Sequence, residues 1–294
     1  MKKATIFAVM TLAGGILLFG SRISAQDPPP TLNPEKKQQQ QQQTQQQPQN
    51  KPADVTPLTL DNAPPPVNAE EEAAIKVFRD TPQADIPKKI QTGEDFTTKY
   101  PESRYRSEVY IYLVRGYLAQ GQVDKMEVAG DKEIALNPND PQTLAIVGST
   151  LPRVMPPNTP DPQKRLDKAE DYCKKALDLL PTLPKPVDLT DDSFLKAKDQ
   201  TSALAYSGLG LVAIRRGKFA EAIPNFEQAV KLDPTPDPVN LYLLGIANEK
   251  TSHFDDAIAA FTKCAAIPGG MQNTCKSGID EAKKLSSTQL SAPK

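Results

Sequence analysis

The sequence contains no tryptophan, a single histidine (His253) and three cysteines. Each scarcity removes a class of chemistry. One histidine with no paired cysteine–histidine spacing gives zinc no ligand set. No Gly-x-Ser-x-Gly elbow, Gly-Lys-Ser/Thr phosphate loop or Gly-x-Gly-x-x-Gly fingerprint is present. The chain therefore reads as non-catalytic, with no cofactor and no metal. One-signed charge is lacking too: 35 Lys and Arg face 36 Asp and Glu, a net charge of −1. A non-specific nucleic-acid partner would need clustered basic charge, and is excluded. Strict alternation of apolar and polar residues, the mark of a half-buried strand, gives no persuasive match.

The N-terminus is what the chain has instead of a long membrane span. Lys2 and Lys3 precede an apolar run from Ala4 to Gly20, followed by Ser21-Arg22-Ile23-Ser24-Ala25. Positive, apolar and small residues in that order read as a secretory signal, residues 1–25, cleaved after Ala25. The alternative is an uncleaved inner-membrane anchor, the only setting in which a membrane is a partner. The form of the signal is bacterial, so the expected location is the periplasm. Residues 26–68 carry a glutamine tract and proline runs with no aromatic side chain. Such a segment cannot bury enough surface to offset the entropy of ordering it, and reads as a disordered tether.

Beyond Ala69 the pattern is helical. Tyr206, Leu209, Gly210 and Ala213 share one helix face; Arg216-Gly217 turns the chain; Phe219, Ala222, Ile223, Phe226, Ala229 and Val230 line a second helix that stops at Pro234. Thirty-five residues later Leu244-Gly245, Phe254, Ala257-Ile258 and Phe261 repeat the series, with Cys264 for Ala229. A divergent copy carries Ala169, Cys173, Ala176 and Pro181; another carries Tyr110, Leu113, Tyr117, Gly121 and Pro138, with Met126 and Gly130 in place of Ala and Phe. The series resembles the tetratricopeptide repeat, whose period is about 34 residues.

That resemblance implies an all-α, right-handed superhelical solenoid of antiparallel helix pairs over residues 69–285. Clear repeats fall at 203–234 and 238–268, divergent ones at 86–101, 105–138 and 142–181, and a disordered tail at 286–294. Insertions are expected at 152–162 and 182–192. Asp191 or Asp192 should cap a helix over 193–216, and Pro224 should kink its helix. In this family the first helix of each repeat lines a concave groove. Carried over, the groove positions are Tyr112, Arg115, Ala145, Ser149, Arg153, Ser207, Leu211, Arg215, Tyr242, Ile246, Glu249 and Lys250. Ser207 and Leu211 replace the Lys/Asn clamp that some members use to hold a C-terminal carboxylate, which argues against chaperone-tail binding. An apolar groove rimmed by Arg and Lys suits a partner segment with acidic flanks. Cys264 and Cys275 lie at similar distances from a hairpin tip at Gly269-Gly270, so an oxidising compartment implies a disulfide between them; the alternative is two buried thiols. The expected role is an envelope scaffold or adaptor, with a self-associating or membrane-anchored subunit as the alternative.

Overall fold

A computed structural model describes residues 68–290. The expected signal, the expected tether up to residue 67, and residues 291–294 lie outside the described residues. Among the described residues there are eleven α-helices and no strand. They form five successive pairs: α1 (Ala69–Asp80) with α2 (Ile86–Lys99), α3 (Arg106–Ala119) with α4 (Val123–Leu136), α5 (Pro141–Arg153) with α6 (Pro162–Leu179), α7 (Asp191–Arg215) with α8 (Phe219–Leu232), and α9 (Pro238–Lys250) with α10 (Phe254–Ala266). The last helix, α11 (Gln272–Leu290), packs on α10 and α9. This is the all-α repeat solenoid that the sequence pattern implied.

Helix starts follow from capping chemistry. Asn68 accepts hydrogen bonds from the Glu70 and Glu71 amides at 3.0 and 3.3 Å, and the acidic Glu70–Glu72 sit at the positive end of α1. Asp140 and Asp237 cap α5 and α9, each followed by a proline at the first helical position. The cap of α7 is Thr190, one residue before the expected aspartates; its hydroxyl accepts from the Ser193 amide at 3.2 Å, leaving Asp191 and Asp192 in the first turn. The α3–α4 and α7–α8 turns use a left-handed residue, Gly121 (φ 68°) and Gly217 (φ 72°). Between α9 and α10 Ser252 takes that conformation at φ 64°.

Packing turns on small residues facing large ones. Phe226 is fully buried, and a Cβ on Gly210 would lie 2.8 Å from its ring. Phe261 sits between Gly245 of its own first helix and Gly278 of α11, and Cys173 between Gly148 and Gly208. In each case one second-helix side chain fills the space that glycines on the neighbouring helices leave open. At Gly130 the volumes are exchanged: the glycine is on the second helix, and Val147 and Val114 fill the space from first helices. The substitution that weakened the repeat signal is thus compensated across the interface.

Two boundaries differ from expectation. The closing helix expected near 86–101 has a partner, α1, anchored by buried Ile75 and Phe78 and by ion pairs such as Arg79–Glu108 at 2.7 Å. The last helix continues past 285 to Leu290. Pro224 lies inside α8, with helix assigned on both sides of it. Pro224 and Ala220 are both exposed, so the carbonyl that the proline frees can be hydrated.

Candidate functional site

The first helices α3, α5, α7 and α9 are joined by polar side chains that cross from one to the next. Arg115 Nη2 of α3 donates to the Gln142 carboxamide of α5. Arg153, at the end of α5, donates to Asp237 at 2.7 Å and to the Ser207 hydroxyl at 3.3 Å. Ser207 in turn donates to Asn240 Oδ1 of α9 at 2.7 Å. Arg215 Nε, at the end of α7, donates to the Pro152 carbonyl at 2.9 Å, satisfying a group left open where α5 ends.

This seam corrects part of the expected groove. Ala145, Ser149, Ser207, Leu211 and Glu249 are buried and cannot meet a partner directly. The reason is close approach: a Cβ on Gly208 would lie 2.9 Å from Ser149 Cα, so α5 and α7 meet nearly backbone to backbone. Ala145 packs with Ala205, and Leu211 with Ala247, in the same way. Tyr242 and Ile246 are half-buried beneath the last helices, the Tyr242 ring 5.5 Å from Phe261 and Ile246 grouped with Ile279 and Ala282. Arg215 is exposed, with its guanidinium turned onto the last carbonyls of α5. Small residues such as Gly208 and Ala205 let the first helices close on one another. What remains exposed or half-buried along the face is Tyr112, Arg115, Arg153, Arg215 and Lys250, whose ammonium lies 3.3 Å from Glu249. Sequence reasoning missed the partners Gln142, Asp237 and Asn240, although the Asp140-Pro141 and Asp237-Pro238 pairs announce helix starts.

Ionisable groups inside the fold have structural settings. Glu133 is fully buried; Ser107 donates to its Oε1 at 2.7 Å while Oε2 has no partner. Burial, reinforced by the Asp140 charge and opposed by the Ser107 bond, lifts its carboxyl from 4.5 to about 7. Burial pushes the Cys173 thiol up to about 12, an inert state for a thiol. His253 is an exposed turn residue whose Nδ1 lies 2.8 Å from the Thr251 hydroxyl. Among the described residues no three or more His, Cys, Asp or Glu cluster to hold a metal, and no helix is long and apolar enough to cross a membrane. Cys264 and Cys275 form a disulfide with Cα atoms 5.8 Å apart, joining α10 to α11.

Stacked helix pairs of this spacing, with small residues at fixed positions, define an all-α repeat solenoid. Residues 203–236 match the family model described as tetratricopeptide repeat. Among solved structures the chain is similar to PilW, described as a widely conserved type IV pilus biogenesis factor, with a TM-score of 0.51 and 14% identity over 76% of this chain and 91% of that one. It is also similar to a thermophilic tetratricopeptide protein of Thermus thermophilus (TM-score 0.45, 16% identity, 72% and 96% covered). A MamA structure gives 0.41 at 23% identity, covering 64% and 92%. No curated protein matches the chain. The match to the tetratricopeptide repeat covers 34 residues, within α7 and α8 and the turn after them.

Proposed function

We propose that this protein is a non-catalytic scaffold exported to the bacterial cell envelope, where it holds a segment of a partner protein along its first-helix face. The observation that carries a lateral contact over self-assembly is the mainly polar outer surface of the first and last described helices, on which Val77 and Leu285 are the exposed large apolar residues. Lys276, Asp280, Lys283 and Lys284 of α11 are exposed, as are Glu70, Lys76 and Asp80 of α1. A repeat array that grew by stacking on itself would leave an apolar terminal face open; polar terminal helices serve to close one. Export is supported by the Lys2-Lys3 and apolar start, and by a Cys264–Cys275 bond of the kind that persists in oxidising compartments. Light scattering of the exported chain tests the scaffold reading against self-assembly. A monomer mass at every concentration supports the scaffold, and a mass rising with concentration supports the rival. N-terminal sequencing tests the compartment: a start at Gln26 is expected, and an intact Met1 indicates the anchor.

A further inference from the structure

Read from the sequence, positive charge is spread along the first-helix face by Arg115, Arg153, Arg215 and Lys250. In the structure three of the four already hold a neighbouring group, two of them an acid. Arg153 is ion-paired with Asp237 at 2.7 Å, Arg215 holds the Pro152 carbonyl at 2.9 Å, and Lys250 lies 3.3 Å from Glu249.

Arg115 stands apart. Its one hydrogen-bond partner among the described residues is the neutral carboxamide of Gln142. Asp140 is the acid that acts on it, but both Asp140 oxygens already accept helix amides, from Gln142 at 3.0 Å and Thr143 at 3.2 Å. Burial has removed enough water from the guanidinium to lower its pKa. Three residues earlier on the same helix face lies Tyr112, half-buried, its ring set edge-on against Phe78 with centroids 5.7 Å apart. Its hydroxyl has no hydrogen-bond partner among the described residues.

A guanidinium carries five donors in a fixed fork that matches a carboxylate, and here most of that fork is free. Part of the cost of dehydrating the cation is already met when the chain folds, so an arriving carboxylate adds attraction without repeating it. We propose that Arg115, with the Tyr112 hydroxyl beside it, receives one Asp or Glu side chain of the partner segment at the step between α3 and α5. First helices continue on both sides of α3, so the segment runs through this point and offers a side chain rather than a chain end. The proposal rests on the first-helix face being the partner surface, and adds where on it negative charge is read.

Peptides of random sequence displayed on phage, panned against the full-length chain, test it without a known partner. The wild-type chain should enrich peptides with an acidic residue at one position. Arg115→Gln should keep retaining peptides while that enrichment falls about tenfold, the scale of one charge-assisted hydrogen bond. Arg115→Glu should turn the preference at that position from acidic to basic. Arg153→Gln, which breaks the pair with Asp237, should melt earlier yet keep the acidic preference. Enrichment unchanged in Arg115→Gln and Arg115→Glu, both folded by circular dichroism, overturns the proposal. Retained peptides without an acidic position overturn it and leave the first-helix reading standing. No retained peptide from the wild-type chain overturns both.

Discussion

Arg153, the last residue of α5, reaches past α7 to Asp237, the residue that caps α9, with 2.7 Å between Nη1 and Oδ2. One carboxylate therefore serves two purposes, since its other oxygen accepts the Val239 amide at 2.9 Å. Asp237→Ala should lose both the cap and the pair and cost roughly 2 kcal/mol, whereas Asp237→Asn keeps a capping oxygen and should cost about 1 kcal/mol. A double-mutant cycle with Arg153→Ala, read by denaturant melts, checks this. Zero coupling would mean that the pair does not bind α5 to α9.

Phe226 is fully buried against Gly210, while Glu227 on the next position is exposed. Phe226→Ala should destabilise by about 3–5 kcal/mol and Glu227→Ala by less than about 0.5 kcal/mol. Similar losses in chemical denaturation would contradict the packing described for α8.

The repeat geometry was legible because Gly210, Phe226, Gly245 and Phe261 recur in register, and the contacts they make are local to one pair and its neighbour. The first-helix face was less legible. Whether Ser207 faces solvent or Asn240 depends on how closely α7 approaches its neighbours, and that distance is set by Ser149, Gly208 and Ala247 on three different helices. The pairing of α1 was hidden for another reason. Its sequence carries few buried apolar residues, and it is held by Arg79–Glu108 and Arg104–Glu72, partners about thirty residues apart that no local pattern reveals. At Gly130 the family pattern breaks, but Val147 restores the volume from the next pair.

Glu133 should make stability fall as pH rises. Its folded pKa, about 7, lies above the ordinary 4.5, so the folded state holds the proton more tightly than the unfolded chain. The favourable contribution is complete below pH 4.5, is lost progressively up to about pH 7, and changes no further above that. The shift corresponds to roughly 3 kcal/mol across that window. Glu133→Gln keeps an acceptor for Ser107 and removes the titration. Melting of both chains from pH 4 to pH 8 should show the variant gaining on the wild type as pH rises; parallel profiles would contradict the buried, protonated carboxyl.

The last helix should depend on its disulfide. Cys275, Gly278 and Ala282 are its buried contacts, while Leu285 remains 37% exposed, so burial alone holds it weakly. A loop closed over 11 residues contributes roughly 3 kcal/mol by the chain-entropy model. Reduction or Cys275→Ser should raise hydrogen exchange beyond Pro268 first and leave α3–α6 little changed. Unfolded, non-reduced protein should present one reactive thiol, from Cys173; three would rule out the bridge.

The first-helix face is tested most directly by a photo-crosslinking residue placed in the living cell at position 112 or 115, and separately at 128 on α4 or 283 on α11. A partner of one fixed mass trapped at 112 and 115, and not at 128 or 283, is the predicted result. Trapping of the same partner only at 128 or 283, in folded chains, would contradict a first-helix binding surface.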